Sequence, residues 1–401
     1  MIATSVLRLD AVPVPVALAI LSIGLLALFR PDHGLLAVAA IVPVAAHMLR
    51  RWSPGVAWAE TMVMAFAAGW YVRRVVRLDE PHLASRLRLP IIVFATVVCA
   101  SAAVQMSVDY ARLGSREFAD FVLRYLSREY FVTGPDRYLQ LAAVLLEGLL
   151  LFSAAARISS VDRRFARQLA GTLVLSAAAA AAINLQHLMI SASRFDDFWR
   201  VLAQDVATAR FSLHYADVNA AGSASALILF MAVALAIATR PARVLWAVPT
   251  ALIGVGLWMS GSRTALLACP VAIGVLAMAA LRTQMGRRGR LLTILLVVVL
   301  TGAALAVIYA PTRGNQQASS IAARVRIEMA ETSIRMVRSS PIFGIGLGEF
   351  YRRSGEFSSP ELLALFPPAH HENAHNNFLQ VLAETGVIGL GAFLWLLVAA
   401  L

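Results

Sequence analysis

Eleven apolar stretches succeed one another along the chain, near residues 12–29, 34–49, 55–72, 89–108, 138–157, 168–190, 218–239, 242–258, 264–281, 291–310 and 376–401. Each is about as long as a helix needs to cross a ~30 Å hydrocarbon core at ~1.5 Å per residue. With 59% of residues hydrophobic and 14% charged, the chain has too little polar surface for a soluble protein of 401 residues. It reads as an all-α polytopic membrane protein of about 11–12 transmembrane helices, since backbone in lipid must satisfy its own hydrogen bonds. The expected organisation is a helical bundle over residues 1–310, one large extramembrane loop over 311–375, and a C-terminal span over 376–401. That last run is still apolar at Leu401, so a further span or two is expected beyond it.

Arginine orients the bundle. All 35 basic residues are arginine, which excludes a lysine Schiff base or a lysine general base. Arg73, Arg74, Arg77, Arg86 and Arg88 follow the third run, and Arg157, Arg163, Arg164 and Arg167 the fifth. Arg240 and Arg243 follow the seventh, and Arg282, Arg287, Arg288 and Arg290 the ninth. The positive-inside rule makes these four connections cytoplasmic. Alternation then puts 109–137, 191–217, 259–263 and 311–375 on the external side. Ten crossings before the long loop would put the N-terminus outside as well, so one of the first three runs is expected to be a re-entrant or interfacial hairpin. The first run is followed by Arg30-Pro31 rather than a small-residue cleavage site, so it is expected to remain as a helix. Cys99 and Cys269 fall inside spans without metal-ligand spacing and are expected to be small buried hydrophobes.

Within the spans, Glu60, Glu147 and His187 should face a partner or a wet cavity. They are also the groups a transporter would use. In 109–137, Phe118, Val122, Tyr125 and Leu126 make one face of a helix and Arg116, Asp120, Arg124 and Arg128 the other, the pattern of an interfacial amphipathic helix. In ARFSLHYADVNAAGS, Arg210 precedes the expected cap Asp217, and Asn219 lies in the first turn of the following span. Ser260 to Ala265 read SGSRTA, a connection too short for a solvated charged loop. There Arg263 is placed to present its planar fork to a membrane-borne anion. In the long loop, Arg324 with Glu328 and Glu331 with Arg335 are expected to pair at i,i+4, leaving Arg326 without a local acid.

His371 to His375 spell HENAH, a formal match to the H-E-x-x-H zinc pattern. Neither a metzincin continuation nor a downstream acid supplies a third ligand. No metal and no cofactor is therefore expected.

Three motifs occur in order between Ser260 and Leu390: SGSRTA with Arg263; Arg326 in R-x14-P-x-x-G-x-G-x-G-x-F, through Pro341, Gly344 and Phe350; and HNNFLQVLAETG from His375 to Gly386. Together they resemble the bacterial O-antigen ligase and polymerase superfamily, and most the ligase. The resemblance implies an inverting, metal-independent transfer of a glycan from an undecaprenyl-diphosphate carrier at the periplasmic face of the inner membrane. The implied acceptor is the lipid A core oligosaccharide for a ligase, or another carrier-bound repeat for a polymerase. By motif position, it makes Arg263, Arg326 and His375 the catalytic residues, with Arg210, Asn219 and Asn376 also binding substrate. Donor, acceptor and membrane lipids are the implied partners, and no nucleic acid is expected.

The chemistry suits these residue types. Expelling a lipid diphosphate leaves several negative charges, and charge-assisted hydrogen bonds from arginine, ~1.5–3 kcal/mol each, can stabilise them in place of a cation. An imidazole, with an ordinary pKa of ~6.5, can take the proton of an acceptor hydroxyl. Glu372 or Asn376 is expected to orient His375. Glu384 is expected to brace the bundle, and Gly386 and Gly389 to allow close helix packing.

Overall fold

A computed structural model describes residues 14–50, 58–76, 85–126, 137–214, 217–239, 244–281 and 316–400, with isolated positions between 289 and 302. Among the described residues there are helices and no strands. Five helices are long and apolar enough to cross a membrane, the longest stretch being Arg86–Asp120, and four shorter apolar helices accompany them. The expected span at 291–310 lies almost wholly outside the described residues. So do the arginines expected in the 240–243 and 282–288 connections.

The chain divides into two compact units. The first comprises Met1–Leu35, Trp52–Arg163 and Gln317–Leu401. Its helices are α1 (Val14–Phe29), α3 (Trp58–Val76), α4 (Ser85–Leu126), α5 (Arg137–Val161), α11 (Gln316–Ser339), α12 (Glu349–Phe357), α13 (Pro360–Leu365) and α14 (Asn377–Ala400). Small residues bring α1 and α3 together: a Cβ on Gly69 would stand 2.1 Å from the Gly24 carbonyl oxygen. Arg73 then closes the C-terminus of α1, donating to the Leu28 and Phe29 carbonyls at 3.1 and 2.9 Å. A core of Phe94, Val98 and Ala102 of α4, Tyr138 and Ala142 of α5, and Leu347, Ala392 and Leu396 joins these spans. Glu60 and Glu147 lie in this unit, and among the described residues one carboxyl oxygen of Glu147 is buried without a hydrogen-bond partner. Cys99, expected to be buried, is exposed on α4, while Cys269 is buried.

Helix α4 does not end where the fourth apolar run ends. It breaks at Gly114 (φ 77°, ψ 169°), and a further helical stretch follows to Leu126. In that stretch Phe118 packs edge-on against Tyr110, ring centroids 5.3 Å apart, while its described neighbours are exposed. Residues 127–136 of the expected interfacial helix lie outside the described residues.

The second unit comprises Leu36–Arg51 and Arg164–Gln316. It holds most of α2 (Pro31–Arg50), then α6 (Arg163–Ala192), α7 (Phe198–Thr208), α8 (Val218–Ala238), α9 (Ala247–Met259) and α10 (Arg263–Leu281). Val174 and Ala178 of α6, Ala232 and Leu235 of α8, and Ile253 of α9 form its core. Alanine and glycine set the spacing here too, a Cβ on Gly256 falling 2.9 Å from that of Ala181. Helix α7 buries none of its residues and leaves Trp199 77% exposed.

Candidate active site

In the second unit the SGSRTA segment is a tight turn between α9 and α10. Ser260 and Ser262 are buried, the Ser260 hydroxyl donates to the Leu257 carbonyl at 2.7 Å, and the Ser262 N–H donates back to the Ser260 hydroxyl at 3.2 Å. Gly261 takes φ +63°, a left-handed conformation natural to glycine. Ser262 then precedes Arg263, the half-buried first residue of α10.

Two distant segments converge on this turn. The side chain of Arg210 lies over Gly261, where an added Cβ would meet its Cγ at 3.0 Å. The segment carrying Arg210 is held by the Phe211 N–H donating to the Met259 carbonyl at 3.1 Å, and by the Trp258 indole donating to the Val206 carbonyl at 2.9 Å. From the other side comes α8, whose Gly222 leaves no room for a side chain: its Cβ would stand 2.4 Å from that of Ser262. Asp217 caps α8 as expected, accepting from the Asn219 N–H at 2.9 Å, and places Asn219 one turn before Gly222. Arg210 and Arg263 are thus brought to one turn, and Asn219 lies one helical turn from the glycine that packs on it.

In the first unit the other two motifs form a single structure. Gly386 (φ 67°, ψ −169°) interrupts α14, so helical bonding lapses there. The freed groups pair with the glycine-spaced turn after α11. Ile345 and Gly346 donate to the Ala383 and Glu384 carbonyls at 2.9 and 3.0 Å, and Val387 and Ile388 donate to the Pro341 and Ile342 carbonyls at 3.0 and 3.4 Å. Contact is backbone to backbone: a Cβ on Gly344 would lie 2.3 Å from the Glu384 carbonyl carbon, and one on Gly386 2.1 Å from the Ile342 carbonyl oxygen. Gly386 is therefore not a helix-packing glycine but the break that admits the turn. Gly389 faces its own helix, where an added Cβ would meet the Thr385 hydroxyl at 1.9 Å. The Glu384 side chain, 3% exposed, caps the start of α12 by accepting from the Gly348 and Phe350 N–H groups. It braces a loop rather than the bundle.

The long loop carries its own core. Val325, Met329 and Met336 of α11 pack with Ile345, Phe350, Leu362, Ala369, Ala374 and Ala383. This leaves Arg326 on the exposed side of α11 and His375, next to buried Ala374, exposed at the start of α14. Glu331 pairs with Arg335 at 3.7 Å as expected, but Glu328 accepts from the Ser359 hydroxyl at 2.8 Å instead of pairing with Arg324. Among the described residues neither Arg324 nor Arg326 has a carboxylate within ion-pair distance.

His375 has φ +52°, the left-handed region, and is the one non-glycine residue with positive φ among those described. Asn376 follows as the cap of α14, its side-chain oxygen accepting from the Phe378 and Leu379 N–H groups at 3.0 and 3.2 Å. Glu372 is likewise occupied, accepting from the Asn373 N–H at 2.9 Å. Neither orients the His375 ring, contrary to expectation. His371 closes a 3-10 turn (Pro367–His371) and stacks on Tyr351, centroids 5.8 Å apart. The residues between it and His375 are not helical, so HENAH does not set two imidazoles on one helix face. Among the described residues no three His, Cys, Asp or Glu side chains are grouped to hold a metal ion.

One further acid was missed by sequence reasoning. Glu349, 5% exposed at the start of α12, has its carboxyl pushed above the ordinary range by burial, although Arg352 donates to it at 2.9 Å. Asp109, itself bound by the Tyr138 hydroxyl at 2.8 Å, adds to the rise.

Residues 248–394 match the protein family described as O-Antigen ligase, a stretch that encloses all three motifs. No curated protein and no solved structure is matched by the chain.

Proposed function

We propose that this chain, which belongs to the O-antigen ligase and polymerase superfamily through residues 248–394, transfers O-antigen glycan from undecaprenyl diphosphate to the lipid A core oligosaccharide. The transfer takes place at the periplasmic face of the bacterial inner membrane, with inversion and without a metal. An acceptor hydroxyl attacks the anomeric carbon, its proton passes to the His375 imidazole, and the bond from that carbon to the diphosphate oxygen breaks. By motif position, Arg263 and Arg326 are assigned the charge-assisted hydrogen bonds to the departing diphosphate, and Arg210, Asn219 and Asn376 are assigned to substrate binding.

The observation that carries this reading is the coincidence of the family match with the three motifs, two of which meet as one backbone-paired latch in the helix that follows His375. The setting of His375 supports its role. A side chain carried on left-handed backbone between a buried alanine and a helix cap is held in one place, yet open to a large acceptor.

The test is transfer in vitro with purified protein, carrier-linked glycan and rough lipopolysaccharide, in chelator. Glycan should appear on the lipopolysaccharide, and Arg263→Ala and His375→Ala should each abolish it. Lengthening of the carrier-linked glycan instead would identify a polymerase. Activity only with added metal would overturn the mechanism.

A further inference from the structure

Glu384 takes no part in the chemistry above, yet three donors converge on its buried carboxylate. Two are the Gly348 and Phe350 N–H groups at the head of α12. The third is the Gln380 side-chain amide, at 3.2 Å. The same amide also donates to the Asn373 side-chain oxygen at 3.5 Å.

Resting on the reading of His375 as proton acceptor, we infer that Glu384 is a positioning residue for His375, acting through Gln380 and Asn373. The left-handed backbone of His375 is uncommon for a residue with a Cβ, even though histidine tolerates it better than most, and its neighbours fix it. It is clamped on both flanks. On the C-terminal side Asn376 caps α14. On the N-terminal side Asn373 is tied to Gln380, and Gln380 to Glu384.

The acid matters in this chain of contacts. Gln380 turns its NH2 toward the Glu384 carboxyl, and the two hydrogens of that one group serve Glu384 and Asn373 together. An amide at 384 can present its own NH2 to Gln380 in place of an acceptor. Gln380 is then free to turn its oxygen inward, which sets oxygen against the Asn373 oxygen and releases the N-terminal clamp.

The experiment uses the full-length purified protein in the transfer assay, separating kcat from the KM for carrier-linked donor. Glu384→Gln should lower kcat by about a hundredfold, the scale on which a small misplacement of a catalytic group acts, with donor KM unchanged. Gln380→Leu leaves the Glu384 cap on α12 in place and should lower kcat in the same direction at an unchanged unfolding temperature. Combining Glu384→Gln with Gln380→Glu exchanges donor and acceptor and should restore most of kcat. Wild-type kcat in Gln380→Leu, or no recovery in the exchanged pair, would overturn the inference. If the wild-type chain transfers no glycan to either acceptor, the functional reading fails. Amide exchange then tests the clamp by itself: faster exchange over residues 374–376 in Gln380→Leu supports it, and unchanged exchange refutes it.

Discussion

Replacing Gly386 by alanine tests whether the pairing of the two motifs holds the long loop in place. The added methyl would stand 2.1 Å from the Ile342 carbonyl oxygen and 2.6 Å from the Phe343 nitrogen, both backbone atoms that cannot rotate away. The turn must retreat by about 1 Å or more to reach an ordinary van der Waals contact. Such a retreat breaks the four hydrogen bonds from Ile345, Gly346, Val387 and Ile388. At about 0.5–1.5 kcal/mol each, and with about 1–3 kcal/mol for an alanine at φ +67°, ψ −169°, the latch loses about 3–9 kcal/mol. That is comparable with the whole stability of many domains, about 5–15 kcal/mol, but it falls on one junction. The expected outcome is local release: amide exchange at Ile345, Gly346 and Val387 rises steeply and glycan transfer is lost, while the protein still inserts and purifies. Gly391→Ala is the control, since its added methyl meets nothing within 4 Å in the same helix. Wild-type exchange and transfer in Gly386→Ala, or equal damage from Gly391→Ala, would refute the reasoning.

Gly222→Val should disable transfer while sparing the bundle, because its side chain would displace Ser262 from the turn that carries Arg263. Transfer assays beside a thermal melt check it. Glu349 supplies a pH prediction. Its carboxyl pKa is raised on folding from an ordinary 4.5, so the folded state binds the proton more tightly than the unfolded one. The resulting stability is fully present below the ordinary value and is lost as pH rises through the raised one. Unfolding temperature should therefore fall over that window in the wild type and fall less in Glu349→Gln, as scanning calorimetry in detergent would read.

Sequence reached the parts of this chain that depend on near neighbours. Helical spans follow from long apolar runs, the Asp217 cap from a side chain acting two residues on, and the Glu331–Arg335 pair from helical spacing. Arg326 could be singled out because helical spacing gives it no acid three or four residues away. What escaped is set by contacts across long separations. Glu328 accepts from Ser359, thirty-one residues away, and among the described residues Arg324 has no carboxylate at ion-pair distance. Gly386 resembles any glycine of a packed span until the turn at 341–346 is placed against it. The glycines of both motifs were visible; their pairing was not. Arg210 looked only loosely related to the family pattern, and its contact with Gly261 depends on folding fifty residues back. Helix α7 (FWRVLAQDVAT) has its apolar residues interrupted by Arg200, Gln204 and Asp205, so it does not stand out as an apolar run.

Because the long loop is filled by side chains of its own helices, with Ala383 as its footing on α14, its exposed face is separable from its anchorage. Exposed positions between Phe350 and Ala374 should therefore accept substitution without loosening the core that Leu362 and Ala369 complete.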